Sequence, residues 1–258
     1  MLSKIGHYSF TAQPFHCDSG GRLAWHHLGN DLINAADLHS NQRQFGITHL
    51  TTIDKTWVLS RLAIELTDRP AAYTPFTIDT WVESVMRSFT NRSFLIAAHN
   101  PGEAAPRVYG HARSVWALID TQTRQPADLN EIHDGLINSY VEPHALNPMA
   151  PFTRVRLTPD APLVGTHDAT YSDVDVNGHV NSICYLQHVI DLWPLDWHRD
   201  HPLRRIEAAY VAESHYGDRL LFRRHDSQPL DSAVSVSRHD SRHPDTPVEV
   251  CRFRLLFG

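Results

Sequence analysis

The chain has 258 residues, 41% hydrophobic and 20% charged, a globular composition with room for one large core or two modest ones. Its formal net charge of -6 lacks the basic excess of a nucleic-acid binder. No apolar run approaches the roughly 18 residues that a membrane span needs, and Met1 to Phe15 carries neither a signal-peptide core nor an Arg/Ser-rich import sequence, so a cytoplasmic location is expected.

A short extended stretch opens the chain, and a helix is expected from Trp25 to Arg43. Trp25, Leu28, Leu32, Ala35, Ala36 and His39 recur at spacings of three and four, the apolar face of one helix, with Gly46 as a stop just beyond. Four alternating segments rich in Val, Ile, Phe, Tyr and Trp follow and read as strands: Thr56–Leu66, Phe76–Arg87, Ser93–His99 and Val108–Ile119. Glu142 to Pro162, with Pro143, Pro148, Pro151, Pro159 and Pro162, reads as a linker. The order then repeats. Another extended stretch precedes a helix expected from Gly178 to Leu192, with Val180, Ile183, Cys184 and Ile190 on one side and Pro194 as its end. Strands are expected at Arg204–Glu213, Arg219–Arg224, Ala233–Ser237 and Val248–Phe257. The division is therefore residues 1–141, a linker at 142–162, and residues 163–258. One offset aligns Glu65 with Glu213 and Asp31 with His179, although the shared order of elements is the firmer sign of a repeat.

Cys17, Cys184 and Cys251 are odd in number and far apart, which fits free thiols rather than a disulfide framework or a zinc motif. The 19 histidines form no HExxH, no CxxC and no tight cluster in sequence, so no metal and no organic cofactor is expected.

The densest polar cluster is Asp173-Val174-Asp175-Val176-Asn177-Gly178-His179-Val180-Asn181. In an extended segment Asp175, Asn177 and His179 share one side. A helix starting beside them offers unpaired N–H groups and a positive dipole end, suited to a developing oxyanion. A carboxylate can activate water, an imidazole can move a proton, and an amide can position either. Asp, Asn and Gly also make turns and N-caps, so composition alone favours Asp175 or Asn177 as a cap.

This run resembles the D-x-N-x-H-V-N signature of acyl-ACP thioesterases. Further pieces resemble that family in order: Trp57-Val58-Leu59-Ser60-Arg61, Thr80-Trp81-Val82, Arg113-Ser114-Val115-Trp116 and Thr123-Arg124-Gln125-Pro126. The resemblance implies an α+β double hotdog, two tandem copies of a long helix wrapped by a bent antiparallel sheet. It implies hydrolysis of the thioester of a fatty acyl group on acyl carrier protein, with Asp175, Asn177, His179 and a strand glutamate, Glu213, as the site. The alternatives are an acyl-CoA thioesterase and a non-catalytic acyl- or carrier-binding module. Acyl carrier protein is the implied partner, and a homodimer is left open. Ser214 stands where plant members have cysteine, which removes the thiol of a Cys/His mechanism. Cys184 is expected to face the core. Trp81 and Trp116 are expected in the core as well. Arg204, Arg205, Arg219, Arg223 and Arg224 are either a solvated strand face or a surface for the acidic carrier.

Overall fold

In the computed structural model, which describes residues 2–99, 105–155, 157, 160–240 and 243–258, the first helix α1 runs from Trp25 to Gln42. All six residues of its expected apolar stripe are buried. Removing Leu28 and Leu32 from water stabilises the fold by roughly 2 kcal/mol each. The chain divides into two compact units, Met1–Ala150 and Pro151–Gly258.

In the first unit β1 (Gly6–Thr11) precedes α1, and a short turn of helix, α2 (Ile47–Leu50), follows it. The strands β2 (Lys55–Leu66), β3 (Pro75–Met86), β4 (Phe89–Ala98) and β5 (Arg107–Asp120) complete an antiparallel sheet in the order β1-β3-β4-β5-β2. Strand β4 begins four residues before its expected start, because β3 turns into it through Arg87 and Ser88, a tight hairpin without the usual Gly or Asn signal. Helix α1 is tied to this sheet by polar bonds as well as by its stripe. Arg92, buried on β4, donates to Ser40 Oγ at 2.9 Å, and Tyr8 of β1 donates to Gln42 at 2.8 Å. Trp81 is buried as expected, whereas Trp116 is only half-buried.

The second unit repeats the plan. Strand β6 (Leu163–Asp168) precedes α3 (Ser182–Ile190); α4 (Leu195–Asp200) follows, then β7 (Leu203–Tyr210), β8 (Arg219–Gln228), β9 (Asp231–Asp240) and β10 (His243–Phe257). The sheet order β6-β8-β9-β10-β7 is antiparallel throughout and is that of the first unit, strand for strand. Each unit is thus a hotdog, and the chain is a double hotdog of α+β class. Helix α3 lies on its sheet through Tyr210, whose hydroxyl donates to Ser182 O at 2.9 Å, and through the His188 and Phe222 rings.

Four expectations are corrected here. Helix α3 starts at Ser182, not Gly178, because Gly178 has φ +79° and the residues before Ser182 form a closed turn. Its buried face is Ile183, Tyr185, Leu186 and Val189, with Cys184 and Ile190 only half-buried. It ends at Ile190, and Pro194 instead heads α4. Strand β7 stops at Tyr210, so Glu213 is not a strand residue. The N–H groups of Val211 and Ala212 both turn to Val250 O, which breaks the ladder as a bulge does.

The proline-rich stretch is bonded to the units, not a free tether. Asn147 donates to Ala112 O at 3.0 Å and accepts from Arg113 through its own carbonyl at 3.1 Å. Beyond Ala150, Thr153 donates twice to Glu207, and Arg205 donates to Pro151 O. Arg205 and Glu207 form a buried ion pair at 2.7 Å, which removes Arg205 from any surface role.

Candidate active site

The stretch from β6 to α3 is a turn held from below by one buried carboxylate. Asp173 accepts Thr170 N at 2.7 Å, Thr170 Oγ1 at 2.8 Å, His167 Nε2 at 2.8 Å and His188 Nε2 at 2.8 Å. Burial raises its carboxyl, but these bonds outweigh it and hold the group well below the usual carboxylate range. The Asp173 carbonyl accepts Asn181 N–H at 2.8 Å, so both ends of the turn are fixed by one residue.

Between those ends the chain folds back on itself. Asp175 N–H donates to His179 O at 2.8 Å, and Gly178 N–H donates to Asp175 O at 3.0 Å. Asp175 Oδ1 accepts Asn177 N–H at 2.8 Å and, more loosely, His179 N–H at 3.4 Å; Oδ2 lies 3.4 Å from Asn177 Nδ2. Turn geometry, not the alternation of an extended strand, gathers Asp175, Asn177 and His179. Neither Asp175 nor Asn177 caps α3. The cap is Asn181, whose Oδ1 accepts Ile183 N–H at 2.9 Å, while its carbonyl accepts Cys184 N–H. Two of the first helical N–H groups are therefore already taken.

Glu213 reaches this turn from the segment after β7. Val180 N–H donates to Ser214 O at 2.8 Å, and the adjoining Glu213 places Oε2 3.4 Å from His179 Nε2, with both side chains half-buried. His215 packs edge-on against His179, with ring centroids 5.1 Å apart. Among the described residues two sets of histidines and carboxylates come close enough to share an ion: His167, Asp173 and His188, and His179, Glu213 and His215. Neither set is marked in the sequence, because each draws on segments far apart in the chain: His167 on β6 with His188 on α3, and His179 in the turn with Glu213 and His215 after β7.

Family models of acyl-ACP thioesterases match both units, the N-terminal domain over residues 9–138 and the C-terminal domain over residues 160–247. The chain belongs to the acyl-ACP thioesterase family. A crystal structure of an acyl-ACP thioesterase from Bacteroides thetaiotaomicron is 42% identical, with a TM-score of 0.88 over 99% of this chain and 98% of that one. The 12:0-ACP thioesterase from Umbellularia californica shares the fold at a TM-score of 0.84 and 18% identity, over 100% of this chain and 98% of that one. An oleoyl-acyl carrier protein thioesterase from Arabidopsis thaliana is 27% identical over 67% of this chain and 49% of its own length. For a palmitoyl-acyl carrier protein thioesterase from Gossypium hirsutum the figures are 26%, 61% and 38%. The match thus spans less than half the length of either of these two curated relatives.

This member of the acyl-ACP thioesterase family carries its turn twice. In the first unit Asp18 N–H donates to Arg22 O at 2.8 Å, Gly21 N–H to Asp18 O at 2.9 Å, and Gly20 N–H to Asp18 Oδ1 at 2.9 Å. Gly21 has φ +68°, as Gly178 has +79°, and the bridge Cys17–Leu23 matches Val174–Val180. Leu23 N–H donates to Pro70 O where Val180 donates to Ser214 O. The counterparts of Asp175, Asn177, His179 and Glu213 are therefore Asp18, Gly20, Arg22 and Arg69. Glu65 and Asp31, which one sequence offset paired with Glu213 and His179, are not the equivalents. The first unit keeps the aspartate and the fold of the turn but has arginines where the second unit has an imidazole and a carboxylate, with Arg69 paired to Asp18 at 2.6 Å.

The thiols lie in surroundings that keep them protonated. Burial, then the charges of Asp173 and Asp175, push Cys184 up to about 11. Cys251 is wholly buried and also raised. Ser214 is fully buried, so its hydroxyl is closed off from water.

Proposed function

We propose that this chain hydrolyses the thioester of a fatty acyl group carried on acyl carrier protein, releasing the free fatty acid in the cytoplasm, and that Asp175, Asn177, His179 and Glu213 perform the reaction. The observation that carries the reading is the His179–Glu213 contact, formed across separate segments beside the Asp175–Asn177 turn, in a chain whose two units both match the family.

The chemistry needs a base, an acid and an oxyanion donor. Glu213 takes a proton from water, whose oxygen attacks the thioester carbonyl carbon. The exposed Asn177 amide donates to the oxygen as it becomes negative, and Asp175 orients it by holding the Asn177 backbone and side chain. The tetrahedral intermediate collapses with cleavage of the C–S bond. The departing thiolate takes a proton from the Glu213–His179 pair, leaving the pair as it began and giving one carboxylic acid and one thiol per water. A thiol nucleophile is not used, in keeping with the protonated state of Cys184.

Release of thiol from matched acyl-ACP and acyl-CoA substrates tests the reaction. His179→Ala and Asp175→Ala are each expected to lower kcat by at least about 100-fold, the scale of a lost acid–base group, with far less change in binding of a non-hydrolysable acyl-ACP. Near-normal turnover in either variant refutes the assignment of that residue. Faster turnover of acyl-CoA than of acyl-ACP moves the substrate class to acyl-CoA.

A further inference from the structure

We infer that His179, Glu213 and His215 form a binding site for a zinc-like divalent transition metal ion, and that its occupation blocks hydrolysis. The ion binding rests on the side chains alone; the inhibition rests also on the proposed function.

Three observations support it. The first is a distance. His179 Nε2 and Glu213 Oε2 stand 3.4 Å apart, long for a charge-assisted hydrogen bond. It matches the edge of a zinc tetrahedron, about 3.4 Å for ligands near 2.1 Å from the ion. The second is the donor set. One ligand atom from each of His179, Glu213 and His215 lies within 4.8 Å of the others. Two imidazoles and a carboxylate, with a fourth position open to water, are a zinc set and are poor ligands for magnesium. The third concerns the outer partner. His215 Nδ1 lies 3.9 Å from Asp218 Oδ2, and the same carboxylate oxygen accepts His215 N–H at 2.9 Å. At 3.9 Å the ring nitrogen is beyond hydrogen-bond reach, so Asp218 steadies the backbone that carries the His215 ring rather than the ring itself.

The other cluster, His167, Asp173 and His188, does not carry the same inference. Its three side chains meet at 2.8 Å through Asp173. That carboxylate also accepts both donors of Thr170, so an ion would have to break a satisfied network.

An ion on His179 and Glu213 would occupy the lone pairs that the proposed hydrolysis uses for proton transfer, so metal and turnover compete. His215 is outside the proposed reaction, which makes it the residue to change. With the whole chain and fatty acid release as the readout (zinc binds free thiol), micromolar ZnCl2 is expected to stop hydrolysis. EDTA should restore it, and millimolar MgCl2 should leave it unchanged. In His215→Ala, and in His215→Gln as a second variant, basal hydrolysis should persist while half-inhibition needs at least about tenfold more zinc; loss of an outer-shell partner alone acts on that scale. Independently of turnover, Co2+ added to the wild-type chain should give the visible bands of a tetrahedral site, and these should weaken in both variants. Equal zinc sensitivity in wild type and variants overturns the inference, as does a cobalt spectrum that survives both changes. A chain that binds cobalt through His215 but hydrolyses nothing keeps the metal site and removes the proposed function.

Discussion

Asp31 is half-buried on α1, and burial alone pushes its carboxyl up to about 6 from an ordinary 3.8. The folded chain therefore holds this proton more tightly than the unfolded chain. Below about pH 4 both states are protonated and the residue costs nothing. Between about 4 and 6 the cost grows, and above 6 it is complete, at most about 3 kcal/mol and less for the part that water reaches. Asp31→Asn is thus expected to raise the melting temperature at pH 8 and to leave it unchanged at pH 4. A gain of equal size at both pH values would show that ionisation is not the cause. His179 and Asp175 stand out in the sequence because both fall in one short signature. The same signature could not reveal that the turn is closed by Asp175 and Gly178 or capped by Asn181, since Asp, Asn and Gly serve either purpose. Nor could it reveal His167, His188 and His215, which lie outside the signature and meet its residues only in the folded chain.

At the scale of elements, Asp173 links three of them: His167 comes from β6, His188 from α3, and Thr170 from the turn between. Asp173→Asn replaces one acceptor oxygen by a donor, so the network must give up bonds from Thr170 or force an imidazole to change tautomer. A lower melting temperature follows, with a fall in kcat of about tenfold or more and a smaller change in KM, because the turn bearing Asp175 and His179 loses its lower support. The pH dependence of stability has the opposite sign to that of Asp31. The Asp173 carboxyl lies below its unfolded value, so its contribution is full above about pH 4 and is lost as pH falls further. The gap in melting temperature between wild type and Asp173→Asn should therefore be widest near pH 6 and narrow toward pH 3. An unchanged kcat in Asp173→Asn would show that the turn holds its shape without this carboxylate. Helix α1 was legible because its stripe persists for the whole helix. Helix α3, of 9 residues against 18, leaves little room for periodicity, and the apolar Val180 just before it mimicked a first turn. Strand β7 was read too long for the same kind of reason: Tyr210-Val211-Ala212 continues an apolar run, but the exposed Val211 has already left the ladder.

For the whole molecule, the repeat explains both why the fold could be read and why only one unit reads as a site. Ten strands in two identical orders keep the hotdog plan visible even where residues have diverged. The turn before each helix needs only an aspartate and a glycine at positive φ, and both units retain these. The chemistry needs more, and Arg22 and Arg69 do not supply it. Charge bears on the proposed partner in the same way. The chain is net negative, at -6, and an acidic carrier protein must meet a local positive surface to be steered rather than repelled. The arginines singled out in the sequence, Arg204, Arg205, Arg219, Arg223 and Arg224, do not share that task. Arg205 is buried on Glu207, and Arg224 lies over the Trp193 ring while pairing with Asp226 at 3.4 Å. Arg219 and Arg223, spaced by two full alternations on β8, face the same way and stay exposed even though Arg219 lies 3.7 Å from the exposed Asp168 and Arg223 donates to Ala161 O. Exposed charges of this kind act on association and are screened over about 8 Å at physiological salt. The paired change Arg219→Glu, Arg223→Glu is therefore expected to lower kcat/KM for acyl-ACP several-fold at low salt, with the difference shrinking as salt is added and kcat little altered. The matching acyl-CoA, which carries no protein surface, should respond less. If the reversal leaves acyl-ACP turnover unchanged at low salt, the carrier does not dock on β8. If acyl-CoA and acyl-ACP lose equally, the arginines act on the shared phosphopantetheine arm and not on the carrier.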